Sequence, residues 1–82
     1  MKVLITGGAG FIGFHLATLL IEKGFMVDMT DIVDEKKFDD DLVKLLQIKN
    51  CKYIKCNLLE SNQLEILINN YDLIVHLAAI VG

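Results

Sequence analysis

Apolar positions along this chain fall into two alternating rhythms. "KVLIT" (2–6) is a short apolar run rich in β-branched residues, and it reads as a buried strand. Ile12, Leu16, Leu19 and Leu20 then recur at i, i+4, i+7 and i+8, which predicts one face of a helix running to about Lys23, with Gly24 placed to end it. "FMVDMT" (25–30) returns to strand character. Phe38, Leu42, Leu45 and Leu46 repeat the helical spacing behind the acidic stretch "DEKKFDDD", whose charges suit a helix N-terminus. "KYIKC" (52–56) alternates as a third strand. Leu64, Leu67, Ile68 and Tyr71 form a third helical face, with Ser61 as its N-cap. "DLIVHLAA" (72–79) is nearly all apolar, as expected of a strand covered on both faces.

The resulting order is β-α-β-α-β-α-β, which implies an α/β fold with right-handed crossovers and a parallel sheet. In a doubly wound sheet of order 3-2-1-4-5-6 these would be the first four strands, and strand 4 would lie at an open edge. No linker, repeat or low-complexity segment interrupts the pattern, and there is no proline.

Between the first strand and the first helix stand four glycines in "ITGGAGFIG". Glycine weakens both kinds of element through its backbone entropy, so such a cluster serves a sharp turn or a close approach. Gly8-Ala9-Gly10-Phe11-Ile12-Gly13 is a literal G-x-G-x-x-G, and Gly7, Gly10 and Gly13 also make G-x-x-G-x-x-G. Preceded by a strand and followed by a helix, this is the context of a dinucleotide-binding fingerprint. The early glycines permit the tight turn, Gly10 admits a pyrophosphate without a Cβ in the way, and Gly13 lets the helix pack closely on the strand. The N–H groups and dipole of the helix start then face the phosphates. A second expected element is an acid at the end of strand 2 to accept hydrogen bonds from the adenosine ribose. Asp31 lies eighteen residues beyond Gly13, with Asp28 and Asp34 as rivals. A carboxylate there would repel a 2′-phosphate, so NAD is favoured over NADP, although Lys36 and Lys37 keep NADP open.

Composition narrows the classes. Hydrophobic residues make up 54% and charged residues 23% of the 82, which fits a folded globular chain. The formal charge is −3 and all eight basic residues are lysines, so nothing points to nucleic acid. Cys51 and Cys56 match neither a metal pattern nor a disulfide framework, and at the two ends of one strand their side chains would face apart. "MKVLITGGAGF" lacks the pattern of a secretory signal. Phe11 to Ile21 is about half the ~20 residues that cross a bilayer. A cytoplasmic location, with no membrane partner, follows as the expectation.

"TGGAGFIG" (6–13), the acid Asp31 and "VHLAA" (75–79) together closely resemble the N-terminal half of extended short-chain dehydrogenases/reductases, the NAD-dependent epimerase/dehydratase group that acts on nucleotide sugars. The resemblance implies a partial Rossmann fold binding NAD, over the whole of residues 1–82. It implies that the Phe11 and Ile12 N–H groups meet the pyrophosphate and that Asp31 and Ile32 flank the adenosine ribose. Family members usually carry an acid and an aliphatic residue after strand 3, to meet adenine; here the pair is Asn57-Leu58, whose amide carbonyl can still accept from the exocyclic amine. Leu77, Ala78 and Ala79 match the end of strand 4, beside the nicotinamide-side ribose. Phe14 stands where the family more often has serine.

The group's chemistry runs through a Tyr-x-x-x-Lys pair, in which the lysine lowers the tyrosine pKa for proton exchange with a substrate hydroxyl. Neither Tyr53 nor Tyr71 has a lysine four residues on. His15 and His76 have no partner at a spacing that suggests a metal site or a nucleophile relay. The expectation is therefore the N-terminal, NAD-binding part of an oxidoreductase, with the catalytic and nucleotide-sugar regions absent from these residues. A different class is a non-catalytic dinucleotide-sensing or interaction module that self-associates through its open sheet edge. FAD fits the glycines but not the "GFIG" and "HLAA" pair.

Overall fold

A computed structural model describes residues 1–56 and 69–77. Strand β1 (Lys2–Thr6) leads through the glycines into helix α1 (Phe11–Glu22), then β2 (Met26–Asp31), one 3₁₀ turn (Glu35–Lys37), α2 (Asp40–Leu46), β3 (Cys51–Lys55) and β4 (Leu73–His76). The four strands make one parallel sheet in the order β3-β2-β1-β4. This is the 3-2-1-4 order of a partial doubly wound Rossmann sheet. No helix among the described residues is long and apolar enough to cross a membrane.

Having a strand on each side and apolar residues on both faces, β1 is the most buried element; Val3, Leu4 and Ile5 are wholly inaccessible. Alternation then sorts the side chains. Val3, Ile5, Val27 and Met29 meet Ala17 of α1, Leu42 and Leu45 of α2, and Cys51 in one apolar cluster. Leu4, Thr6, Asp28 and Thr30 belong to the opposite parity of the same strands and are also buried. Both cysteines are buried and form no disulfide, and Cys51 Sγ lies 3.8 Å from Met29 Sδ. Gly24, at φ +89°, ends α1 where its position in the sequence predicts.

Several elements differ from the sequence reading. The second helix excludes Phe38. Asp39 accepts a hydrogen bond from Leu42 N at 2.9 Å and so caps α2, while Asp34 caps the 3₁₀ turn through Lys36 N at 3.0 Å. The acidic stretch therefore makes two successive caps. Phe38, left between them, packs edge-on against Tyr53. The third strand starts and ends one residue earlier than predicted. The expected third helix, with Ser61, Leu64, Leu67 and Ile68, lies outside the described residues. Tyr71, assigned to its face, instead sits in the connection just before β4 and donates to Asp28 Oδ2 at 2.7 Å. Strand β4, predicted as 72–79 and covered on both faces, lies at the edge of the described sheet as the strand order predicts, but Leu73 and Ile74 are exposed.

Candidate functional site

The turn between β1 and α1 is tied to the end of β2. Gly7 takes φ +72°, a conformation that side chains disfavour, and this aims the Gly7 and Gly8 N–H groups at the Thr30 carbonyl, 2.8 and 3.0 Å away. Helix α1 then starts directly against the turn: a Cβ on Gly13 would lie 2.6 Å from Gly8 O, and one on Gly8 would lie 2.7 Å from Met29 Cβ. Gly13 thus packs on the turn itself, where the sequence reading places it against the strand. Gly8 faces the same restriction. Gly10 does not, since its nearest neighbour would be Gly7 O at 3.7 Å, an ordinary contact. Nothing in the described fold requires a glycine there.

Gly10 is also the N-cap of α1, at φ −82° and ψ 174°, and no side chain caps the helix or places an acid in its first turn. The N–H groups of Phe11, Ile12 and Gly13 occupy that turn, where no intrahelical acceptor exists. The Phe11 and Ile12 side chains are largely exposed. The helix start therefore presents backbone donors and a partial positive charge.

Asp31, the last residue of β2, faces this donor set. Its Oδ2 accepts from Ala9 N at 3.2 Å and its Oδ1 from Ile32 N at 2.7 Å. A carboxylate has about four acceptor positions, so each oxygen keeps one for a further donor. The rival acids are committed elsewhere: Asp28 lies inside β2 under the Tyr71 hydroxyl, and Asp34 caps the 3₁₀ turn and stands 3.8 Å from Lys55 Nζ. Ile32 is exposed just beyond Asp31. Leu77 is half-buried and continues the β4 pairing, its N–H donating to Thr6 O at 2.9 Å. Asn57, Leu58, Ala78 and Ala79 lie outside the described residues.

Beside the turn, a groove of about 460 Å³ is bounded by Gly10, Phe11, Phe14, Val33, Lys37 and Phe38, among others. His15 stands at its rim, edge-on to the Phe11 and Phe14 rings at 4.3 and 5.3 Å. Phe14 also packs against the core cluster. His76 is engaged by Thr6, with Nδ1 and Oγ1 2.7 Å apart. One feature of the site has no signal in the sequence pattern. The Tyr53 hydroxyl reaches from β3 to the carbonyl oxygens of Asp31 and Val33, at 3.0 and 2.6 Å.

Comparison with known proteins gives a consistent set of relatives. Residues 4–82 match the GDP-mannose 4,6 dehydratase family. A UDP-N-acetyl-alpha-D-glucosaminuronate decarboxylase of Bacillus cytotoxicus is 39% identical over 99% of this chain and 24% of its own length. Among solved structures, the UDP-glucuronic acid 4-epimerase of Bacillus cereus in complex with UDP-glucuronic acid and NAD aligns with a TM-score of 0.81 and 31% identity, over 100% of this chain and 27% of that one. The dTDP-glucose 4,6-dehydratase of Bacillus anthracis in complex with NAD aligns with a TM-score of 0.73 and 27% identity, over 98% and 27%. The chain spans about a quarter of the length of the relatives it matches.

Proposed function

Because the chain belongs to the GDP-mannose 4,6-dehydratase family, we propose that it is the NAD-binding N-terminal part of a nucleotide-sugar epimerase or dehydratase. Gly10 carries this reading. The internal contacts of the turn account for Gly7, Gly8 and Gly13, whereas the missing side chain at Gly10 serves something outside the fold. A pyrophosphate seated there meets the Phe11, Ile12 and Gly13 N–H groups and the positive end of α1. Asp31, already oriented by Ala9 N and Ile32 N, accepts the adenosine ribose hydroxyls and repels a 2′-phosphate, so the dinucleotide is NAD. Ile32, Asn57 and Leu58 complete the adenosine side, and Leu77, Ala78 and Ala79 line the nicotinamide side. When bound, NAD supplies the hydride acceptor for oxidation of a sugar hydroxyl. The residues of this chain hold and orient the cofactor, while proton transfer and nucleotide-sugar binding belong to residues outside these 82.

An NADH titration followed by amide NMR tests the reading. Saturable shifts centred on Gly7 to Gly13 and Asp31 are expected, and a spectrum unchanged at millimolar NADH would overturn it. A second reading, a self-associating dinucleotide module, is favoured by the exposed Leu73 and Ile74 on the β4 edge. Sedimentation decides it: a defined dimer that binds NADH supports the module, and a monomer removes it.

A further inference from the structure

We infer that Tyr53 is a positioning residue for the Asp31 carboxylate, acting through the backbone that links β2 to the groove; its bearing on NAD selectivity rests on the function proposed above. Strand β2 ends at Asp31, and beyond it the chain leaves the sheet. Asp31 O still accepts from Cys56 N at 2.9 Å, but the next carbonyl held from β3, that of Val33, is reached by a side chain, the Tyr53 hydroxyl at 2.6 Å. The same hydroxyl lies 3.0 Å from Asp31 O. A phenol has a single proton to donate, so the two carbonyls share it, and the span from Asp31 to Val33 is drawn onto one point of β3.

That span sets the aim of the carboxylate. Ile32 N can reach Asp31 Oδ1 at 2.7 Å only while the chain turns there, and the turn leaves Oδ2 pointing at Ala9 N on the glycine turn. Phe38 holds the phenol in place, its ring perpendicular to that of Tyr53 with centroids 4.7 Å apart. Burial, and then the negative charges of Asp31, Glu35 and Asp34, push the phenol up to about 12, so it remains a donor throughout the neutral range. A phenylalanine at this position keeps the ring and its packing and removes only the tie.

Tyr53→Phe tests the inference with two independent measurements. The first needs no dinucleotide: amide hydrogen exchange at Ala9 and Ile32 should quicken about two- to tenfold, the worth of one hydrogen bond, while exchange in β1 stays unchanged. Unchanged exchange at Ala9 and Ile32 would overturn the positioning role, whatever the chain binds. The second is selectivity. NADH affinity should fall by a similar factor with little change for NADPH, and Tyr53→Phe should add nothing in an Asp31→Asn background. Equal losses for NADH and NADPH, or full additivity with Asp31→Asn, would show a general structural effect and overturn it. A wild-type chain that ignores NADH, combined with faster exchange in the variant, would sink the proposed function and leave the positioning of Asp31 standing.

Discussion

The hydrogen atoms of Gly13 face the peptide of Gly8: a Cβ at position 13 would stand 2.6 Å from Gly8 O and 2.7 Å from Gly8 Cα. Both partners are backbone, so neither can swing aside. Gly13→Ala must push α1 off the turn, at a cost of about 1–3 kcal/mol. Urea denaturation followed by circular dichroism should show the midpoint falling by the corresponding amount.

Gly10→Ala makes the informative contrast. Its φ of −82° and ψ of 174° suit any residue, and the new Cβ meets only Gly7 O at 3.7 Å. Stability should remain within about 1 kcal/mol, the loss at a helix cap being offset by lower chain entropy in the unfolded state. NADH affinity should nevertheless fall at least about tenfold, or ~1.4 kcal/mol. Calorimetric titration of the folded variant measures it.

Thr30 Oγ1 is a buried side-chain oxygen with no hydrogen-bond partner among the described residues, and Thr30 is 0% exposed. An unmatched buried hydroxyl carries a desolvation penalty of about 1–3 kcal/mol, and valine has the same branched shape without it. Thr30→Val should therefore be neutral or raise stability by up to about 1 kcal/mol. A lower urea midpoint would mean that the hydroxyl has a partner in solution.

Both tyrosines with described surroundings should destabilise the fold in alkali. Burial raises Tyr53 from 10.0 to about 12, and burial with the Asp28 hydrogen bond and charge raises Tyr71 further still. The unfolded chain then loses its phenolic protons near pH 10 while the folded chain keeps them. Their contribution to stability is complete below pH 10 and disappears as the pH climbs through the folded values. Tyrosinate absorbance should rise together with loss of circular dichroism between about pH 10 and 12, and Tyr53→Phe should move that transition upward.

Much of the fold was legible because its signals are local. The apolar run of β1, the glycines and the 3.6-residue face of α1 each specify their element within about a dozen positions, and Asp31 is found by counting from Gly13. Where prediction missed, distant partners decide. Phe38 fits the period of α2, yet Asp39 caps that helix and Phe38 is drawn to Tyr53. Tyr71 fits a helical face, yet its hydroxyl is held by Asp28, forty-three residues away. Strand order placed β4 at the open edge, where it lies, but its apolar run reads as covered on both faces, and hydropathy carries no information about what packs on a strand. Tyr53 looks like any strand aromatic, and its hydroxyl matters only because the end of β2 lies within reach.

The central position of β1 also sets a timetable. This strand is made first, but its neighbour on one side, β4, follows about seventy residues later, with Lys2 N bonded to Asp72. At ~5–20 residues per second, a ribosome needs several seconds to bridge that gap. Throughout it the most buried of the described strands has one row of peptide groups unpaired, ready to bind a chaperone or another nascent chain. Productive folding of this sheet therefore waits on the arrival of its fourth strand.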